Sequence, residues 1–406
     1  MNLSDATPAR LTAFALLALA LTGCRSHDFP QYPANYREYA YVTNGGSNTV
    51  TVLDVVNVRV DRELAVGQNP VALAASPTRN EMYVVNSGVA GGEGSVSVIN
   101  AENNTVAATI AVHRQPVSIE IDPAGDFAYV ANAGSNTISV LDLKARREIA
   151  AIGAGEEPVA ARISPDGKTL VVANRHGNSV SIFDLPSLAE PAASPRASSV
   201  RAVFEGCPGA SDAVILPDSS KAFVACSAGH QIMAIALAHS EARPESHPAQ
   251  PGSARPDRLE ALLDVGQAPL HLALKPDGGE LFVSNALSDS ISGVVTSTDD
   301  VLGAYLMGDN PVRGLVSSDN SMLYVANFHS QYVTPYAIDD GKRLKSIHVG
   351  DGPSALAFSS SGLLLFAVDA RSGDIAVVRT GSRSLFTLLP TGRNPNAIAV
   401  KAFKLP

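Results

Sequence analysis

Tryptophan is absent from the 406 residues, and cysteine occurs three times. The first absence removes every repeat built on tryptophan docking. The missing Cys-x-x-Cys-His excludes covalent attachment of c-type haem. Charge is sparse as well: charged side chains make up 17 % of the chain, with a formal net charge of −9, which leaves no basic stripe for nucleic acid. No spacing of His, Cys, Asp and Glu matches a metal-ligand motif, and no nucleophile motif is present. Long hydrophobic runs are missing too; the most apolar stretch, inside "PARLTAFALLALALTGC", is too short to cross a bilayer.

That stretch reads as a signal peptide, with Arg10 in its n-region and an apolar run from Leu11. Its end, Leu21-Thr22-Gly23-Cys24, resembles the lipobox of bacterial lipoproteins, whose cysteine is lipidated and becomes the new N-terminus. The resemblance implies a signal peptide over 1–23, lipidation of Cys24 and a flexible tether over 24–38. An ordinary secretory signal with an incidental cysteine is the alternative. Each buried acyl CH₂ adds roughly 0.8 kcal/mol, so several chains hold a protein at a membrane without a transmembrane helix. Arg25 in place of aspartate favours, by resemblance to sorting in Gram-negative cells, the outer membrane. An exported chain meets oxidising conditions, where a disulfide between Cys207 and Cys226 can persist.

What the sequence has in abundance is repetition. The stretch "YVTNGGSNTVTVLD" from Tyr41 returns as "YVANAGSNTISVLD" from Tyr129, as "VVANRHGNSVSIFD" from Val171 and in five further variants, at a period of about 40 to 50 residues. Each unit holds four short runs rich in Val, Ile and Tyr, here named a to d, split by Pro, Asp, Gly and Asn; these are strands with tight turns. In the third unit a starts at Pro116, b at Phe127, c at Thr137 and d at Glu148. A Pro-Asp-Gly turn such as "SPDGK" at Ser164 often joins a to b. Gly-x-x-Pro precedes strand a, from Gly67–Pro70 through Gly392–Pro395, with relaxed versions at His113–Pro116 and Glu205–Pro208.

The first unit lacks strand a, and the last a strand, "NAIAVKA" from Asn396, has no b after it. Pairing that strand with the N-terminal b, c and d strands closes a ring without an open seam. The expectation is an all-β, eight-bladed β-propeller of four-stranded antiparallel blades over 39–402, with 403–406 as a tail. Seven blades is the rival count if the irregular 205–265 region forms none.

By these residues the chain resembles the YVTN family of β-propellers, whose name motif stands letter for letter at Tyr41–Asn44. Relatives in that resemblance include bacterial and archaeal surface proteins, lactonase-like propellers and, distantly, the haem-binding propeller of cytochrome nitrite reductases. It implies a fold far more than a function.

The repeated Asn44, Asn86, Asn132, Asn174, Asn285 and Asn327 read as structural, bonding to backbone in the b–c turn and tolerating a left-handed backbone. The Tyr or Phe three residues earlier fills space between blades. Function belongs where repeats differ. Two residues into strand a the aligned units read Ala72, Ser118, Ala160, Asp212, His271, Arg313, Ala355 and Ala397. The three ionisable side chains come from consecutive units, and Glu120 and Arg162 stand two positions further along. An acid, an imidazole and a guanidinium at a channel mouth suit an anionic or polar ligand, or acid–base chemistry; an inter-blade ion-pair network is the structural alternative.

His176, His230 and His329 fall on the same rim; a metal would need several of them to converge at about 2 Å, and their separation in sequence gives no ligand motif, so no metal is expected. Cys207 and Cys226 flank strands a and b of the fifth unit and are a disulfide candidate, although Cys207 is about four residues out of register counted from the Pro217 turn. The Pro- and Ser-rich segments 185–199 and 238–258 are insertions between strands c and d, on the opposite rim.

Three functional classes follow. The leading one is a lipid-anchored cell-envelope module that binds or scaffolds a protein, a glycan or a small ligand. The second is a lactonase-like hydrolase with His271 as base and Arg313 as oxyanion partner. The third is a redox carrier with non-covalent haem; the lack of tryptophan counts against quinoprotein propellers. No cofactor and no nucleic-acid partner are expected.

Overall fold

Runs of four to ten residues broken by turn formers can only make short strands, and such strands need neighbours on both faces. A computed structural model describes residues 32–185, 200–238 and 256–405. Cys24 and most of the two insertions lie outside the described residues. The strands form eight antiparallel sheets, each hydrogen-bonded in the order a, b, c, d. The a strands neighbour one another around the ring; they are therefore innermost and wall a central channel. The protein is an eight-bladed β-propeller, with the 205–265 region supplying blade 5.

Blade 1 is built from both ends of the chain. Strand b, Tyr36–Asn44, pairs with the C-terminal strand a, Pro395–Lys404, from Tyr36 opposite Lys404 to Asn44 opposite Pro395. The ring thus extends beyond the expected limits. Residues 36–38 are strand rather than tether, and 403–404 are strand rather than tail, because each supplies ladder partners to the other.

Local chemistry sets the ends of strand a. The residue just before it is left-handed in every blade, at Asn69, Gln115, Glu157, Gly209, Ala268, Asn310, Gly352 and Asn394. Position three of the a–b turn is also left-handed, as at Gly167, Ser219 and Gly278, as Pro-Asp-Gly chemistry requires. Between these bends each a strand has six residues, apart from the longer one of blade 1. The core lies between blades. Tyr41, Tyr83, Phe223, Phe282 and Phe366 of the b strands are buried at 0–1 % exposure, so these aromatics do wedge the blades apart at a fixed spacing.

Candidate functional site

The repeated asparagines form a lock, by a different route from the expected one. Asn44 Nδ2 donates to the hydroxyls of Thr49 and Thr51 at 3.1 and 2.9 Å. Asn174 does the same to Ser179 and Ser181, and Asn285 to Ser290 and Ser292. The acceptors are thus mainly strand c hydroxyls rather than turn backbone. The left-handed residues are Asn48, Asn136, Asn178 and Asp289, further along the turn. The marker glycine lies flat on this amide: a Cβ at Gly67 or Gly155 would fall 2.6 Å from Asn86 or Asn174, closer than any side chain allows.

Two blades lack the asparagine of this lock, and in blade 3 His113 stands in place of the glycine. In blade 5, Cys226 replaces the asparagine, and Cys207 stands 19 residues before it, as Gly155 stands before Asn174. The two form a disulfide with Cα atoms 4.8 Å apart. Cys207 is therefore in register with the marker glycines. Ala210, not Pro208, takes the first place of strand a, opposite Cys226, so the Glu205–Pro208 marker was misplaced. In blade 8, Asp369 faces Asp374 with no hydroxyl at Ala376. Asp369 is fully buried, and burial followed by its bond to Asp374 pushes its carboxyl up to about 8.

The ionisable residues of strand a form a belt across blades 3 to 7. Arg162 Nη1 lies 3.7 Å from Glu120 Oε2, and its Nη2 lies 2.9 Å from Asp212 Oδ1. Arg162 Nε also donates to the carbonyl of Ala213 at 3.2 Å. Asp212 Oδ2 accepts the backbone N–H of Leu272 at 3.1 Å, and His271 Nε2 lies 3.8 Å from it. His271 Nδ1 in turn accepts the N–H of Gly314 at 3.3 Å. Each link crosses one seam between blades. The sequence alternation that points these side chains sideways is the ordinary period of two along a strand.

The electrostatics follow from enclosure and neighbours. Burial and the nearby Arg313 hold the His271 imidazole down to about 3, so it is neutral, with its proton on Nε2 and its Nδ1 lone pair taken. Burial would raise the Asp212 carboxyl, but the guanidinium groups of Arg162 and Arg313, with the Leu272 N–H, bring it below the ordinary value. Burial raises Glu120, against the pull of Arg162. Solvent still reaches 29 % of the Arg162 side chain and 35 % of Glu120, against 9 % of Asp212. Asp212 is thus the most enclosed of the three.

The belt ends on Arg313. Its side chain is exposed and, among the described residues, has no hydrogen bond or ion pair; at the same level blade 8 presents only Ala355. Blades 8, 1 and 2 carry Ala355, Ala397 and Ala72 where blades 5 to 7 carry Asp212, His271 and Arg313.

The rim histidines do not converge. His176 pairs with Glu157 at 2.8 Å, His230 with Asp264 at 3.5 Å and His329 with Asp309 at 3.6 Å. Among the described residues no group of three metal-binding side chains exists. A separate cavity of about 250 Å³ lies off the channel, lined by Met307, Thr334, Arg343 and Ser346 among others. It opens where strand d of blade 7 breaks into Lys342–Arg343 and Ile347–His348. Pro335 in strand c has no N–H to give the ladder there.

Comparison with known proteins finds partial similarity to one propeller family and a shared fold with several solved structures. Residues 39–154 match the model of the family described as lactonase, 7-bladed β-propeller; the present ring has one blade more. A Bacteroides fragilis protein provisionally assigned as a 6-phosphogluconolactonase aligns over 92 % of this chain and 99 % of its own, at 15 % identity and a TM-score of 0.61. A protein from Lactobacillus plantarum aligns over 90 % and 99 %, at 16 % identity and a TM-score of 0.60. Hydrazine synthase of Kuenenia stuttgartiensis aligns over 73 % and 91 %, at 21 % identity and a TM-score of 0.51. These likenesses concern the fold. No curated protein matches the chain.

Proposed function

We propose that the protein is an exported, lipid-anchored propeller of the YVTN type that binds a small anionic ligand at its channel mouth. The observation that carries this reading is Arg313, a guanidinium without a partner among the described residues, at the end of a belt whose other members pair with one another. Its planar fork of donors suits a two-oxygen anion. Strand b of blade 1 begins on the rim opposite the mouth. Titration of the mature protein with a panel of small organic anions, followed calorimetrically, tests the reading. Arg313→Ala should weaken binding about 10- to 100-fold, the worth of one charged hydrogen-bonded contact, with the fold intact. Equal binding by both proteins would overturn it.

Lactone hydrolysis is the second reading, favoured by the family match over 39–154. His271 is a poor base for it, since its free nitrogen already accepts the Gly314 N–H. If turnover occurs, Arg313 and water in the channel would carry it, and His271→Ala would keep lactone hydrolysis while Arg313→Ala would not.

A further inference from the structure

Resting on the anion-binding reading, we infer that the channel selects a singly charged carboxylate and discriminates against a phosphate monoester. Two independent features lead there. The first is the charge count around the open guanidinium. Glu120 and Asp212 are both drawn to Arg162, which leaves the charge of Arg313 open, and His271 is neutral by its bonding, with Nδ1 accepting a backbone N–H. One negative charge from a ligand meets Arg313. A second has no cation left, because Arg162 is held between two carboxylates at 2.9 and 3.7 Å. It would instead face Asp212, which is fixed in place by Leu272 N–H.

The second feature is the backbone. Phosphate sites in proteins gather several free amides, at a helix N-terminus or in a nest of successive N–H groups. Around Arg313 the amides are already engaged in strands: Arg313 is paired with Ala326 in the ladder and the Gly314 N–H is given to His271. A carboxylate needs only the two parallel donors of one guanidinium. The neighbouring wall carries Ala355 and Ala397 at that level, small side chains that offer no further charge.

The ligand class is therefore a monocarboxylate of modest size, such as an unphosphorylated sugar acid. Calorimetric titration of the mature protein with gluconate, 6-phosphogluconate and inorganic phosphate reads the selectivity directly. Gluconate should bind about tenfold more tightly than inorganic phosphate at pH 8, on the order of one like-charge contact at intermediate dielectric. It should also exceed 6-phosphogluconate, whose extra dianion must be accommodated in the same channel. Glu120→Gln removes one negative charge without disturbing Arg313, and should narrow the gluconate-to-phosphate ratio several-fold.

Phosphate binding that matches or exceeds gluconate, lost in Arg313→Ala, would overturn the selectivity while leaving the anion site standing. Binding of gluconate that Arg313→Ala does not weaken would overturn both, as would no binding by any of the three probes. A ratio unmoved by Glu120→Gln would show that charge count does not set the preference.

Discussion

The channel has two walls made by the same repeat. Blades 5 to 7 place Asp212, His271 and Arg313 at a level where blades 8, 1 and 2 place Ala355, Ala397 and Ala72. On the alanine side the seams close by apolar contact; Ala72 and Ala74 sit with Ile119 and Val130 of the next blade in one cluster. On the charged side the seams close by a relay of ion pairs and backbone bonds. Because the alanine wall builds an equally regular ring, the fold does not need the charges. They are there at a cost in desolvation, which the proposed anion site would account for.

Removing one member of the relay breaks this comparison most severely. Asp212→Ala should lower stability to urea by about 3 kcal/mol, because it strands a largely enclosed Arg162 without its closest partner. Ala397→Ser at the matching level of the other wall should change it by less than about 0.5 kcal/mol. Similar losses for both would mean that the two walls do not differ as argued. The Asp212 carboxyl is held below its ordinary value, so its contribution is present above the unfolded carboxylate range. It is lost as pH falls through the lower folded value.

Each wall also contains one exception to the glycine–asparagine lock, and these sharpen the comparison. Cys207→Ser with Cys226→Ser, beside the charged wall, should cost roughly 2 to 3 kcal/mol by releasing a loop of this length. Replacing the bridge instead by Cys207→Gly, Cys226→Asn and Met233→Ser restores the repeat's own lock and should recover at least half of that loss in urea unfolding. No recovery would show that the bridge does something other than stand in for the lock.

The smallest effect belongs to blade 8. The Asp369 carboxyl is pushed up to about 8 in the fold. What the protonated pair contributes is complete below the unfolded carboxylate value and is lost as pH rises through 8. Asp369→Asn supplies N–H donors to Asp374 and should raise stability by about 1 kcal/mol at pH 8.5 and by almost nothing at pH 4. A pH-independent gain would rule out the shared proton.

Much of the architecture was legible because it is local. Eight b strands, eight a strands and a misplaced last strand were enough to count blades and close the ring. The alignment that put Asp212, His271 and Arg313 on one level held because the a–b turns are chemically unmistakable. The register of Cys207 was not legible from the proline: Pro208 mimics the marker, whereas the 19-residue spacing from Gly155 to Asn174 was the usable signal. The asparagine's partners could have been found in Asn-x-x-x-x-Ser/Thr-x-Ser/Thr, which recurs from Asn44, Asn132, Asn174 and Asn285. Which of the three ionisable side chains stays unpaired was invisible, since it depends on distances across blade seams that no one-dimensional spacing encodes.

Blade 1 joins Tyr36–Asn44 to Pro395–Lys404, and this sets an order of events for a chain delivered N-terminus first. The earliest strand to emerge waits with one edge bare until the last strand has been released. Every other blade can assemble from contiguous chain, but the circle cannot. A product cut short by its final ten residues would carry seven complete blades and an open gap, with the exposed edge of Tyr36–Asn44 available to a second molecule. Closure of the circle therefore rests on Pro395–Lys404, whose arrival turns a string of blades into a ring.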